Sequence, residues 1–341
     1  MLQKQRESMY VVGCDLSPET GEGFLAISLI ELVQTRFSVI VYTDKLVQIL
    51  RSHPLLRDRF LPLYLFTVCV VLRLGSHRVV LLNYVPIWNF LNAILARCGV
   101  QLAPITGSVL IVSARASLRE RFIRLYFQRA LITLSAWLLP RRSFVWCATP
   151  SVFLQLQNAG LKNLAFGFPY LHKIKPLPPM PKTFDLFIYS NAHPTKNHEA
   201  VRQFLASPLT RRFNICYVGP ATETHSNVLS FSLIPEEEFN QLLARSRLYL
   251  TFSFEDAGIT GFKALAYGMP VLCPNSSGLA YSVQYEGPYC FADPYDLEDI
   301  CSKVSTLLSC KLLKEKSKLT KKFDQIKEQN NDASIKWISS L

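Results

Sequence analysis

The segment from Tyr249 to Cys273 constrains the fold of this 341-residue chain more than any other. It opens with an apolar run from Tyr249 to Phe252, which is rich in residues that favour β-strands. Gly258 then permits a turn, and the apolar spacing that follows predicts a helix over Ile259 to Tyr267. The segment therefore begins as a strand, a loop and a short helix.

The end of the same segment predicts a second strand. Gly268 suits the left-handed position after a last helical turn, Pro270 stops the helix, and Val271 to Cys273 has the composition of a buried strand. A strand, loop, helix and strand in this order are typical of a parallel sheet, whose ligands bind beyond the carboxyl ends of the strands. Glu255 and Asp256 fall at that edge.

These residues resemble the signature of the retaining family 4 glycosyltransferases of GT-B fold, of the bacterial surface-polysaccharide type. That signature is a glutamate, a turn glycine, a second glutamate eight positions after the first, and the pattern A-x-A-x-G-x-P-V. Glu255 matches the first glutamate and Gly258 the turn glycine, whereas Lys263 stands in place of the second glutamate. The final pattern is matched by Ala264, Ala266, Gly268, Pro270 and Val271.

The resemblance implies an α/β fold with two Rossmann-like domains facing across a cleft. It also implies that Glu255 engages the sugar of a nucleotide diphospho-sugar donor, and that Lys263 occupies the place of the family's ribose-binding carboxylate. Near the start of the second domain the family carries an arginine and, about five residues later, a lysine that grip the donor pyrophosphate. Lys196 matches the lysine, and Asn191 stands where the arginine would be.

The implied site therefore has two parts. Glu255 and Lys196 are the predicted catalytic residues. The predicted donor-binding residues are Asn191, Asp256, Ala257, Gly258, Ile259 and Lys263. An ordinary exposed lysine at a helix start would also account for Lys196 taken alone.

Length and composition predict two domains, because a chain of 341 residues exceeds the size at which one core keeps growing. Residues 168–183 include FPYLHKIKPLPPMPK, whose five prolines favour an extended linker. We expect an acceptor-side domain over residues 1–167 and a nucleotide-sugar-binding domain over residues 184–325. Residues 326–341 form a C-terminal helix that could pack back on the first domain.

Glycines and polar residues after the early strands are candidates for an acceptor or phosphate loop. Gly21 and Gly23 are predicted to form a turn between the first strand and its helix, although a plain turn explains two glycines equally well. Asn83, Thr106 and Gly107 follow later strands and are acceptor candidates through the resemblance.

Positive charge is concentrated in the first half of the chain. Residues 1–150 carry 17 lysines and arginines against 8 acidic residues, a balance of +9 within the total of +12. Within them, the arginines and aromatics of residues 114–142 form a basic amphipathic pattern that suits an anionic membrane surface. A packed helix with a solvated basic face explains the same pattern. No nucleic-acid-binding signature accompanies it, so we expect no nucleic-acid partner.

The same sequence argues against several other classes of protein. Phe60 to Leu72 and Phe122 to Leu139 fall short of the roughly 20 uninterrupted apolar residues of a spanning helix. The nine cysteines include no C-x-x-C pair, and the amino terminus has no signal-peptide apolar core, so we expect reduced thiols in a cytoplasmic protein. Neither a D-x-D motif nor a histidine cluster is present, and we expect no metal and no cofactor.

Two functions remain open at this stage. One is a metal-independent, retaining hexosyltransferase that moves a sugar to a lipid-linked or lipopolysaccharide and O-antigen-type glycan at the inner face of the membrane. The other is a catalytically degenerate GT-B module that binds a nucleotide sugar or a partner without turnover, which the residues at positions 191 and 263 motivate. A sugar epimerase has less support, because no acid and base pair can be assigned to it.

Overall fold

The computed structural model divides the chain into two compact units. Unit 1 consists of residues Met1–Leu110, Ser117–Lys173 and Gln329–Leu341, and unit 2 of Ile111–Ala116 and Ile174–Glu328. The structure describes residues 8–12, 21–41, 79–81, 94, 96–97, 101–102, 130, 133–134, 137–138, 145–147, 150–168, 170–191, 196–222, 224–253, 258–283, 289–309 and 316–340.

Unit 1 contains two parallel sheets. The larger one has the strand order β2-β1-β3-β4, with β1 at Ser8–Val12, β2 at Ser38–Val41, β3 at Val79–Leu81 and β4 at Gln101–Leu102. The smaller one pairs β5 (Val145–Cys147) with β6 (Leu164–Phe166). The helices with described bounds in unit 1 include α1 at Gly21–Gln34 and α2 at Pro150–Asn158.

Unit 2 is built on a six-stranded sheet whose strands are all parallel, in the order β12-β11-β10-β7-β8-β9. The strands are β7 at Phe184–Tyr189, β8 at Ile215–Val218, β9 at Val228–Phe231, β10 at Ser246–Leu250, β11 at Val271–Pro274 and β12 at Cys290–Phe291. The helices are α3 at His198–Ala206, α4 at Glu236–Ala244, α5 at Ile259–Ala266, α6 at Gly278–Val283 and α7 at Leu297–Leu308. Helix α8 spans Lys316–Ser340.

Helices cover both faces of the central strand β7, which explains its continuous apolar sequence. Leu186 and Ile188 point to one face, where they share a buried cluster with residues of α3 and α7 such as Phe204 and Val304. Phe187 and Tyr189 point to the other face, because side chains alternate along a strand. There both rings make edge-to-face contacts with Phe239 of α4, at centroid distances of 5.1 and 5.3 Å.

Several predictions from the sequence can be compared with these elements. The helix predicted from Ile259 is confirmed over Ile259–Ala266, and Gly268 adopts the predicted left-handed conformation with φ 68°. The predicted turn at Gly21 and Gly23 is wrong, because both residues lie in the first turn of α1. Glycine permits a turn without requiring one, and it is also tolerated where a helix begins.

The proline-rich segment differs in part from an extended chain. Leu171–Lys173 forms a 3-10 helix, and Phe168, Tyr170 and Leu171 are buried. Aromatic contacts account for this burial, since the ring of Phe168 lies 5.1 Å from that of Phe166 and 5.7 Å from that of Tyr170.

Within the described ranges, no helix combines the length and apolar character needed to cross a bilayer.

The C-terminal part of α8 is anchored in unit 1 by an aromatic pair. Trp337 is buried, and its ring centroid lies 5.7 Å from that of Trp146 on β5. Arg36, which follows α1, donates a hydrogen bond of 2.9 Å to the carbonyl oxygen of Ile338. The end of the chain therefore belongs to the core of unit 1.

We expect Trp337→Ala to lower the free energy of unfolding by about 3–5 kcal/mol, the range for removing a buried large aromatic side chain. Ile335→Ala is the matched control, because Ile335 lies on the same helix and is exposed. It should change the free energy by less than about 0.5 kcal/mol. Urea denaturation followed by circular dichroism measures both, and equal effects of the two substitutions would contradict the anchoring role.

Candidate functional site

A small recess lies at the carboxyl edge of the sheet in unit 2. It is lined by Lys196, Tyr249, Thr251, Ser253, Gly258, Thr260, Gly261, Ser277 and Leu279. Its cavity volume is about 20 Å³, enough for one or two waters and far less than a drug-sized ligand pocket. The recess can therefore hold one polar group of a larger ligand.

The described part of the lining carries one positive charge and is rich in hydroxyl groups. Among the nine described lining residues, one is a lysine, four carry a serine or threonine hydroxyl, and none is acidic. Thr251 and Ser253 follow β10 and are separated by two positions, and the Ser253 amide donates to Thr251 Oγ1 at 3.1 Å. This combination of a cation and hydroxyl donors suits an anionic ligand.

The start of α5 supplies further donors. Gly258 is the N-cap and adopts a left-handed conformation, with φ 46° and ψ 45°, which glycine enters without steric cost. The first hydrogen bond across the turn runs from the Phe262 amide to the Gly258 carbonyl at 3.2 Å. The amides of Ile259, Thr260 and Gly261 precede it and have no acceptor within the helix, so the partial positive charge of the helix terminus faces the recess.

Close packing of α5 against α6 fixes the position of these amides. A Cβ atom added to Gly261 would collide with Cδ2 of Leu279, and one added to Gly258 would lie 3.4 Å from Cβ of Leu279. Glycine at position 261 therefore allows Leu279 to lie directly on the first turn of α5. Ser277 caps α6 from the other side, since its Oγ accepts a 3.2 Å hydrogen bond from the Ala280 amide.

Lys196 approaches the recess from the loop before α3. Its Nζ lies 5.2 Å from the centroid of the Tyr189 ring, within the range of a cation–π contact. Tyr189 ends β7, and its ring is held from the side of α4 by Phe239. The predicted residues Lys196 and Gly258, which are 62 positions apart in sequence, thus line one recess.

Lys263 lies elsewhere on α5 and is neutralised. Its Nζ is 2.7 Å from Oε1 of Glu236, the first residue of α4, and Lys263 is not among the residues that line the recess. The hydrogen bond and the charge of Lys263 lower the pKa of Glu236. The Lys263 side chain is 14% exposed and that of Glu236 is 69% exposed, so the pair lies at the protein surface.

The other predicted site residues are scattered or lie outside the described parts of the chain. Asn191 is partly buried just after β7, and its carbonyl oxygen accepts from Ser190 Oγ at 3.4 Å. Gly21 and Gly23 belong to unit 1. Outside the described residues lie Asn83, Thr106, Gly107, Glu255, Asp256 and Ala257.

The sequence predictions missed most of the lining of the recess. Thr251 and Ser253 could have been found from their alternation at the end of an apolar strand, which places both hydroxyls on one side. Ser277 could have been found as a helix cap before Gly278. Leu279 carries no signal of its own, because its role depends on the missing side chain at Gly261.

Among the described residues, no group of three or more His, Cys, Asp or Glu side chains is arranged to hold a metal ion.

The ion pair between Glu236 and Lys263 predicts a pH-dependent contribution to stability. Because the folded pKa of Glu236 is lowered, the contribution is present above the unfolded pKa of about 4.3 and is lost as the pH falls through the folded value. Glu236→Gln should therefore cost up to about 1 kcal/mol of unfolding free energy at pH 7, with a smaller difference from wild type below pH 4.

Glu237→Gln is the matched control, since it removes the same charge from the same turn of α4 without breaking a lysine pair. Denaturant titrations of the three proteins across this pH range measure the differences. A Glu236→Gln effect that equals the control, or that stays constant with pH, would contradict the assignment.

No family model and no curated protein matches the sequence. Solved structures do match the fold. Sucrose-phosphate synthase from Thermosynechococcus elongatus aligns over 97% of each chain with 13% identity and a TM-score of 0.65. HepE from Anabaena, in complex with UDP and glucose, aligns over 99% of this chain and 100% of its own with 15% identity and a TM-score of 0.61.

A third similar structure is the lipopolysaccharide outer core galactosyltransferase WaaB. It aligns over 96% of this chain and 99% of its own, with 12% identity and a TM-score of 0.57. At such identities the similarity establishes the fold. Together with the two units of parallel α/β structure, it confirms the predicted fold class: the chain has the GT-B fold of glycosyltransferases.

Proposed function

We propose that the protein is a glycosyltransferase that uses a nucleotide diphospho-sugar as its donor. The observation that carries this proposal is the recess in unit 2, where Lys196 and the first amides of α5 converge. Similarity to HepE, whose structures contain UDP, glucose or UDP-glucose, supports the same class of donor. We further propose membership of the retaining family 4, with Lys263 in place of the second glutamate.

The chemistry of the recess suits the leaving group of such a reaction. Breaking the bond between the sugar and the diphosphate places negative charge on the phosphate oxygens. Lys196 and the amides of Ile259, Thr260 and Gly261 stabilise that charge where it develops. Because the packing of Leu279 fixes the first turn of α5, these amides need no reorganisation as the bond breaks. Our proposal assigns neutralisation of the diphosphate to these groups, without a metal ion.

The remaining steps rest on the sequence. Glu255 would accept hydrogen bonds from the hydroxyl groups of the donor sugar and so orient its anomeric carbon. The acceptor hydroxyl would attack the face from which the diphosphate leaves, which retains the anomeric configuration, and its proton would pass to an oxygen of the departing diphosphate. We propose a lipid-linked or lipopolysaccharide and O-antigen-type glycan as the acceptor, in keeping with the similarity to WaaB.

We also propose that the protein works at the cytoplasmic face of a membrane. Described residues within the basic stretch of unit 1 support this placement. Ala130, Leu134 and Trp137 are each helical and exposed, at a spacing of three to four positions. Trp137 is 73% exposed, unusually high for a tryptophan, and tryptophan favours the membrane–water interface.

A second candidate is a GT-B module that binds a nucleotide sugar or a partner without turnover. The ion pair between Lys263 and Glu236 favours this candidate. A lysine cannot accept hydrogen bonds from ribose hydroxyls as a carboxylate does. Because Lys263 is paired with Glu236, it also adds no positive charge to the recess. Asn191 likewise brings no charge. Retained binding with no transfer would identify this candidate.

The first experiment tests the recess. Wild type is first titrated with UDP, GDP and ADP to find which of them it binds. For each ligand that binds, we expect Lys196→Met to raise the dissociation constant by about 10- to 100-fold. The reason is that a hydrogen bond to a charged group contributes about 1.5–3 kcal/mol. Isothermal titration calorimetry measures this. Lys303→Met is the control, because Lys303 pairs with Asp299 on α7 and does not line the recess.

Transfer is measured with a panel of radiolabelled nucleotide sugars and a membrane glycolipid extract. Wild type should label lipid from at least one donor, and the labelling should persist in the presence of EDTA. Glu255→Ala should abolish the labelling without abolishing nucleotide binding. Binding without labelling by any donor would exclude the enzyme in favour of the second candidate. Unchanged turnover in Glu255→Ala would refute the role of that carboxylate.

Membrane association is tested by sedimentation with vesicles. We expect vesicles rich in anionic lipid to carry the protein into the pellet at low salt and less of it at high salt, because screening weakens the attraction of basic residues. Trp137→Ala should lower the bound fraction, whereas Leu209→Ala, at an exposed leucine of unit 2, should not. Equal recovery of wild type in the supernatant with and without vesicles would remove this part of the proposal.

A further inference from the structure

The residue after Lys196 has an unusual backbone conformation. Asn197 has φ 49° and ψ 50°, and it is the only residue other than glycine with a positive φ in the described part of the chain. A left-handed conformation costs a non-glycine residue about 1 kcal/mol, although asparagine adopts it more readily than most residues. Contacts of Asn197 add to this tolerance.

Asn197 also forgoes the usual use of its side chain. It is the N-cap of α3, where an asparagine side chain ordinarily accepts a hydrogen bond from an amide of the first turn and contributes about 1 kcal/mol. No such cap bond forms. Instead Oδ1 of Asn197 accepts a hydrogen bond of 3.1 Å from the hydroxyl group of Tyr295, which is 98 positions away.

Tyr295 is itself held in place. It lies in the turn before α7, where its amide donates a 2.9 Å hydrogen bond to Oδ1 of Asp293. Its ring packs against the buried cluster that includes residues of α3 and α7. The Tyr295 hydroxyl is therefore a fixed donor, and it can hold the side chain of Asn197 in one orientation.

The position of Asn197 determines where Lys196 projects. The Asn197 carbonyl accepts from the amides of Ala200 and Val201, at 3.0 and 3.3 Å, and so starts α3. The start of α3 on one side and the Tyr295 contact on the other hold Asn197, the residue that follows Lys196. The ammonium group of Lys196 is directed over the Tyr189 ring and into the recess.

We propose that Tyr295 is a positioning residue for the diphosphate site: through Asn197 it holds Lys196 in the recess. This inference rests on the proposed function and names the residue that sets the affinity of the lysine for the diphosphate. Lys196 touches the ligand, whereas Tyr295 acts only through Asn197. A tyrosine that served stability alone would not be coupled to Lys196.

The test is a double-mutant cycle on nucleoside diphosphate binding. Tyr295→Phe removes the hydroxyl donor and keeps the ring, and it should weaken binding of the best of UDP, GDP and ADP by about 2- to 10-fold, as expected for one hydrogen bond. In the Lys196→Met background the same substitution should change the affinity by less than 2-fold, since no positioned ammonium is left to lose.

Two further variants keep the test decisive. Asn197→Gly takes the left-handed conformation without strain but lacks the acceptor, so it should reproduce the loss seen in Tyr295→Phe. Tyr217→Phe is the matched control, because the Tyr217 hydroxyl donates a 3.0 Å hydrogen bond to the carbonyl of Pro220 and Tyr217 does not line the recess. It should lower stability as Tyr295→Phe does and leave affinity unchanged.

The outcomes separate this inference from the proposed function. If wild type binds neither a nucleoside diphosphate nor inorganic pyrophosphate, the proposed function fails and the inference fails with it. If wild type binds and Tyr295→Phe binds equally well, the inference alone is overturned. An equal loss in the wild-type and Lys196→Met backgrounds would also overturn it, because the effect would then not pass through the lysine.

Discussion

The parallel register of the sheet in unit 2 is the constraint on which the site depends. Strands β7 and β10 pair from Phe184 with Ser246 to Ile188 with Leu250, so both end at the same edge. The loops that follow them carry Lys196 and Gly258. A slip of one residue in this pairing would turn Leu186 and Ile188 away from the buried cluster and move the edge residues apart. The core that stabilises unit 2 thereby also aligns the recess.

The charges at this edge are divided between two places. The recess holds the cation of Lys196 and the positive end of α5, whereas Lys263, further along the same helix, is paired with Glu236. The ion pair neutralises an ammonium group that lies outside the recess. Lys263, which stands where the sequence resemblance predicts a carboxylate, is thus paired with a carboxylate on a neighbouring helix.

Local signals in the sequence predicted secondary-structure elements such as α5. They could not predict which side chains distant in sequence would meet. Gly258, Gly268 and Pro270 delimit α5 because their backbone preferences act within a few residues, and the structure confirms that helix. The partner of Lys263 lies 27 positions away and that of Asn197 lies 98 positions away, and neither partner is implied by a spacing rule. At Gly21 and Gly23 the local signal itself was ambiguous, since glycine is compatible with a turn and with a helix start. The sequence predicted a turn there, and the structure has the start of α1.

Two of the helices that begin beside the recess, α3 and α5, share one departure from ordinary capping. Asp296 caps α7 through its side chain, which accepts a 3.0 Å hydrogen bond from the Asp299 amide. By contrast, the N-caps of α3 and α5, Asn197 and Gly258, are both left-handed and form no side-chain cap bond. An N-cap bond would occupy first-turn amides that a ligand could otherwise use. The starts of α3 and α5 thus leave first-turn amides without a side-chain cap, at some cost in helix stability, whereas Ser277 caps α6.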